Sequence, residues 1–197
     1  MILIFLRWLA FAASLSIVLI YFQGGTTLVK DTRRSITEAG NYYYLLFSIV
    51  MGIAGVVILI SQLLICLGYV ETFGGIPEWL AAAGAATVVA AILSSYWIRG
   101  RYLGRFWSGN VELKPDHRIV ETGPYRIIRH PIYACALVIY AGVVPAFAVW
   151  WVWAACGIML AGYVILGEYE DRFLTKNLTG YADYRKRTAW KIIPGIW

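Results

Sequence analysis

Two histidines and three cysteines are all that the 197 residues offer as imidazole or thiolate ligands. Cys66, Cys135 and Cys156 stand far apart, each inside an apolar run, with no CxxC spacing. This leaves no zinc site and no disulfide framework, and small apolar packing residues are the expected role of all three. No GxGxxG fingerprint occurs, so a soluble dinucleotide fold is not indicated. Charge is sparse at 14%, and acidic residues are outnumbered 11 to 17, for a formal charge of +6. The basic residues fall in short segments between apolar blocks and form no separate basic domain. That placement argues against a nucleic-acid partner and fits membrane topology and anionic headgroups.

Apolar length is what the chain has in quantity. Hydrophobic residues make up 60% of it, against about 45–50% in ordinary soluble domains. A bilayer crossing takes about 20 apolar residues, and five candidate blocks can be read: Ile2–Phe22, Tyr42–Leu67, Trp79–Ile98, Ile132–Val144 and Phe147–Gly167. The expected fold is an all-α integral membrane protein with about five transmembrane helices. The fourth is short, ends before Pro145, and should form a helical hairpin with the fifth. The first block is expected to be a retained helix, because its only n-region charge is Arg7 and its apolar run is too long for a signal peptide. Arg7 itself is expected to snorkel to the interface.

Loop charges alternate along the chain. Lys30, Arg33 and Arg34 follow the first block, whereas the segment after the second holds only Glu71 and Glu78. Arg99, Arg101, Arg105, Lys114, Arg118, Arg126 and Arg129 follow the third, and the turn near Pro145 holds no basic residue. Arg172, Lys176, Arg185, Lys186, Arg187 and Lys191 close the chain. The positive-inside rule then puts the N-terminus outside and the two large polar segments in the cytoplasm. Trp150, Trp151 and Trp153 read as interfacial anchors at the outer end. Membrane lipids are the expected surroundings, and the compact form favours a prokaryotic plasma membrane over the endoplasmic reticulum.

Three segments carry chemistry. The first runs from Gly104 to Tyr133 and mixes polar, aromatic and apolar residues. Gly123-Pro124 marks a turn, and Pro131 suits the first turn of the fourth helix. Arg129 and His130 precede that helix, whose N-terminus favours an anion such as a carboxylate. The second segment is Glu168, Glu170 and Asp171, directly after the fifth block. Two readings stand here: a solvated helix with ion pairs to the basic tail, or a site for a cationic ligand such as a sulfonium or an ammonium. The third is the tail, with Tyr181, Tyr184, Arg185, Lys186, Arg187 and Pro194-Gly195.

Together these segments resemble the isoprenylcysteine carboxyl methyltransferase and phospholipid methyltransferase family of membrane enzymes. The resemblance rests on Gly123-Pro124-Tyr125, on Arg129-His130-Pro131-Ile132-Tyr133, and on Glu170-Asp171-Arg172-Phe173-Leu174 after a long apolar stretch. Trp107-Ser108, His117-Arg118-Ile119-Val120, Tyr181, Tyr184, Arg187 and Pro194-Gly195 add to it. It covers about Gly104 to Trp197. Two departures stand out: Cys135 where the family has glycine, and Asp171 where it has a second glutamate.

The resemblance implies a domain division into two N-terminal transmembrane helices (1–78) and a methyltransferase core (79–197). It implies S-adenosylmethionine as cofactor, in a cytoplasmic pocket formed by the segment between helices three and four and the C-terminal tail. The implied cofactor-binding residues are His117, Val120, Gly123, Tyr125, Arg129, His130, Pro131, Tyr133, Glu170 and Asp171, with no metal. Glu170 and Arg187 are the implied catalytic residues, Arg187 orienting an anionic group of the acceptor. The implied acceptor is lipophilic, enters from the bilayer, and is an isoprenylcysteine-like carboxylate. A carboxylate is ionised at neutral pH and needs positioning more than a base, whereas an amine or thiol needs deprotonation. Methylation of a lipid amine or small thiol, an NADPH-dependent membrane reductase of related architecture, and a non-catalytic scaffold are the alternatives.

Overall fold

The computed structural model of the chain describes residues 1–36, 41–108, 111–113 and 116–197, with the side chains of residues 20–44 outside the description. Lys30, Arg33, Arg34 and Lys114, which entered the charge pattern, therefore lie outside the described side chains. Six α-helices occur among the described residues: α1 (Ile2–Ile36), α2 (Asn41–Cys66), α3 (Glu78–Ile98), α4 (Pro131–Ala146), α5 (Trp150–Asn177) and α6 (Tyr181–Arg187). A π-helical turn over Arg99–Leu103 and a 3-10 turn over Gly104–Phe106 extend α3, and a second 3-10 turn spans Gly123–Arg126.

Among the described residues, four helices are long and apolar enough to cross a membrane: α1 over Ile2–Leu19, α2 over Leu45–Cys66, α3 with its extension, and α5. The chain thus has the build of an integral membrane protein. With 16 residues, α4 rises about 24 Å, short of a hydrocarbon core of about 30 Å. It turns directly into α5 as the expected hairpin.

The α2, α3 and α4 bounds follow the apolar runs closely, but α1 and α5 run past theirs. α5 was expected to stop at Gly167 and instead continues ten residues to Asn177. Its charged last turns are held by partners distant in sequence. Pro145 was expected to lie beyond α4 and lies inside it. Arg7 helps complete that end, donating from Nε to Ala146 O at 2.8 Å and from Nη2 to Thr72 Oγ1 at 3.3 Å. Arg7 thereby caps the end of α4, where helix-end carbonyls in an apolar setting lack water to bond.

The small residues of α3 decide how the bundle packs. Ala81, Gly84, Ala85, Val88, Ala91 and Ile92 are buried along one stripe, and Ala136, Ile139, Gly142, Val143 and Ala146 face them from α4. A Cβ on Gly84 would lie 2.6 Å from Gly142 O, and one on Gly142 would lie 2.7 Å from Gly84 O. The two backbones are therefore in direct contact, the small-residue mode of association in membranes. α1 packs on α3, and α2 packs on α5. There Met51 fills the space beside Gly162, where a Cβ would meet its sulfur at 2.0 Å.

Gly84→Ala is expected to cost about 1–3 kcal/mol by forcing α3 and α4 apart. Gly157→Ala, which meets nothing within 4 Å, serves as the control. Thermal unfolding in detergent should show a lowered midpoint for the first variant and an unchanged one for the second.

Candidate functional site

The site is organised around one buried carboxylate. Asp171, in the last third of α5, is 1% exposed. Arg129, immediately before α4, donates to it from Nε at 2.9 Å and from Nη2 at 3.1 Å. The remaining Arg129 nitrogen, Nη1, donates to Thr188 O at 2.6 Å and Ala189 O at 2.7 Å. Tyr181 of α6 donates to Asp171 Oδ1 at 2.8 Å, and Arg185 Nε lies 3.5 Å from Oδ2. The backbone completes the stitch, with Arg129 N bonded to Trp190 O at 3.0 Å and His130 N to Lys191 O at 2.8 Å. The segment before α4, the end of α5, α6 and the tail are thereby fastened together.

The three carboxylates after Gly167 divide their tasks. Glu168 pairs with Arg172 at 2.8 Å and with Lys191 of the tail, as the ion-pair reading has it, whereas Asp171 is buried and pairs with Arg129 before α4. Glu170 faces a cavity of about 530 Å³. Tyr133 donates to its Oε2 at 2.5 Å, and His130 Nδ1 lies 3.4 Å from the same oxygen. The His130 and Tyr133 rings stack at 5.3 Å with 10° between planes, and Tyr163 lies 5.5 Å beyond Tyr133.

His130 has both ring nitrogens facing carboxylates. Nε2 lies 3.5 Å from Asp171 Oδ1 but is not aligned into a hydrogen bond, and it has no such partner among the described residues. Burial disfavours the imidazolium, yet Asp171 and Glu170 outweigh that penalty and leave the His130 pKa above its ordinary value. Only the protonated ring can donate from both nitrogens. Burial raises the phenol pKa of Tyr125 and Tyr181, and that of Tyr184 to about 12. All three remain hydroxyl donors at neutral pH.

The cavity runs from this polar pole into the bundle. His117, Val120, Tyr125, Arg129, His130, Tyr133 and Glu170, seven of the residues singled out from the sequence, line it. Gly123 supports it from behind: its φ is +59°, and a Cβ there would lie 2.2 Å from the Tyr102 ring. Pro131 starts α4 and is buried, and Asp171 acts through Arg129 and Tyr181. Arg187 lies apart from the cavity wall, exposed, with Nη2 donating to both oxygens of Glu121 at 2.8 Å. Glu121 follows Val120 of the wall.

Sequence reasoning missed the apolar contribution of the first helices. Ile17 and Val18 of α1 and Phe47, Met51, Gly52 and Gly55 of α2 face the same cavity. Their only signal was small residues inside an apolar run. Among the described residues, no group of three or more His, Cys, Asp or Glu side chains is gathered as metal ligands would be.

Residues 83–175 match the model of the isoprenylcysteine carboxyl methyltransferase family, so the resemblance read from the sequence is shown over that segment. The matched segment is just under half of the chain. The chain is also similar to the cobalt-zinc-cadmium resistance protein CzcN of Cupriavidus metallidurans, at 32% identity over 90 residues. That alignment covers 44% of this chain and 41% of CzcN, so the chain spans about two fifths of the relative it matches.

Two outcomes follow from the geometry. Asp171→Asn leaves the Arg129 guanidinium buried without its counter-charge, and a loss of about 3–5 kcal/mol is expected in chemical denaturation. For His130 the raised folded pKa fixes the sign. Its contribution is complete below the unfolded value of about 6.5 and is lost as pH rises through the higher folded value. The stability gap between the native protein and His130→Gln should therefore be larger at pH 6 than at pH 9, read from paired unfolding curves.

Proposed function

We propose that this chain transfers the methyl group of S-adenosylmethionine to an acceptor dissolved in the membrane, the carboxylate of an isoprenylcysteine-like molecule. The observation that carries this reading is one cavity with two characters. Its polar pole holds Glu170, Tyr133 and His130, and its walls toward α1 and α2 are apolar. About 530 Å³ lies within the ordinary range for small-molecule sites, and a cavity joining an ionic pole to a lipid-like wall suits one water-soluble and one lipid-soluble reactant.

The residues present fit the cofactor. Glu170 supplies negative charge, and Tyr133 with Tyr163 supplies aromatic faces, both favourable to a cation. His130 Nε2 adds a buried polar atom that is unsatisfied among the described residues. When bound, S-adenosylmethionine supplies an electrophilic methyl group on a positively charged sulfur.

The protein's contribution is placement. Glu170, held by Tyr133 and His130, fixes the orientation of the cationic group. Arg129 and Asp171 neutralise each other and hold the wall rather than the ligand. The apolar walls exclude water, which leaves an ionised carboxylate acceptor less solvated and more reactive. Arg187 is proposed to orient that acceptor. It already grips a carboxylate, that of Glu121, and exchanging it for a substrate carboxylate preserves its pairing.

Residues 79–197 are proposed as the methyltransferase core, with α1 and α2 closing the lipid side. Five crossings, with the N-terminus outside and the site on the cytoplasmic face, are the topology this reading adopts.

Calorimetry of S-adenosylhomocysteine with the detergent-purified protein tests the reading. Micromolar binding is expected, weakened at least tenfold by Glu170→Ala. A monodisperse, folded sample that gives no heat overturns the cofactor assignment. Arg187→Ala should leave that binding and the melting temperature unchanged while raising KM for a carboxylate acceptor such as a prenylated cysteine.

A further inference from the structure

A second, narrower cavity of about 90 Å³ lies among α1, α2, α3 and α4. It meets the larger one along walls that both share, among them Ile17, Gly55, Ile132, Tyr140 and Tyr163. Along α2 the combined lining extends from Phe47 to Gln62. Fifteen residues of helix rise about 22 Å, so the space continues from the polar pole far along the apolar span.

Gln62 is the feature that needs explaining. It is 0% exposed, lines the narrow cavity, and neither its Oε1 nor its Nε2 has a hydrogen-bond partner among the described residues. The other polar groups of that wall are engaged. Ser14 and Ser95 donate to carbonyls of their own helices, and the Arg99 guanidinium lies over the Trp107 and Tyr96 rings. An unsatisfied buried amide costs about 1–3 kcal/mol per group, and a bilayer interior offers it no water. A leucine would fill the same space without that cost.

We propose that the end of this cavity at Gln62 is a subsite for a second polar group of the acceptor. The group is uncharged, a hydroxyl or carbonyl, carried at the far end of the acceptor's hydrocarbon chain and hydrogen-bonded to the Gln62 amide. No charged side chain other than Arg99 lines the narrow cavity, so a neutral group is selected over an ionic one. The amide both donates and accepts, so either oxygen function satisfies it. The ligand class is an amphiphile oxygenated at both ends, an isoprenylcysteine-like carboxylate whose chain carries a terminal hydroxyl or carbonyl. Calling it the acceptor rests on the methyl-transfer reading, but the subsite itself does not.

The test uses the full chain in lipid nanodiscs and two probes, hexadecanoate and 16-hydroxyhexadecanoate, titrated by calorimetry. The native protein should bind the hydroxylated probe about tenfold more tightly, the equivalent of about 1.4 kcal/mol. Gln62→Leu, and the nearly isosteric Gln62→Met, should abolish or reverse that preference. Equal affinities in the native protein, no binding of either probe, or an unchanged preference in both variants overturns the subsite. In the first case the amide is satisfied by trapped water alone. S-adenosylhomocysteine titrated into the same samples separates the two ideas. A probe preference without cofactor-product binding keeps the subsite and removes the methyl-transfer reading, whereas binding without preference removes only the subsite.

Discussion

The bidentate pair between Arg129 and Asp171 is the constraint on which the rest of the site depends. Both groups are almost fully buried, and a buried ion pair holds only if its remaining hydrogen-bonding capacity is met. Here it is met by two carbonyls of the tail and by the Tyr181 hydroxyl. Those partners come from two further segments, the tail and α6. Satisfying one pair therefore places the tail, α6 and the start of α4 at once, and Tyr184 extends the same logic by donating to Tyr125 O at 2.7 Å.

Neutralising Asp171 also defines what Glu170 is for. Two adjacent carboxylates on one helix point in different directions, one into a salt-bridged interior and the other toward open space. The cavity thus keeps the Glu170 carboxylate beside His130 without collecting the whole charge of the acidic cluster. The apolar wall supplied by α1 and α2 gives the other half of its character. Polarity changes along a single space, so reactants with opposite solubilities have separate regions to occupy.

Much of this was legible in the residues, and the failures share a cause. The apolar runs gave α2, α3 and α4 nearly to the residue, because period and length alone decide a helix in lipid. The ends of α5 did not follow, since Glu168 and Asp171 are held in helix by Lys191 and Arg129, which no local pattern reveals. The resemblance assigned Arg129 to the cofactor and Arg187 to the acceptor. Only the fold shows the first fully occupied within the protein and the second exposed beside Glu121. The third run is rich in alanine, which suits a close approach such as Gly84–Gly142, but no local pattern names the partner. Gln62 drew no reading from the sequence, because a lone amide in an apolar block gains weight only when nothing bonds to it.

The wide sequence gap between Arg129 and Asp171 bears on how the protein is made. They are 42 residues apart, and the hairpin of α4 and α5 lies between them. Asp171 lies in the last third of α5, so it emerges from synthesis after the apolar part of that hairpin, and the clamp closes only once both are made. Insertion must run on apolar transfer and on the backbone contact of α3 with α4, and the ionic lock engages afterwards. The order of assembly is built into the connectivity: a chain already settled in its membrane acquires its pocket last.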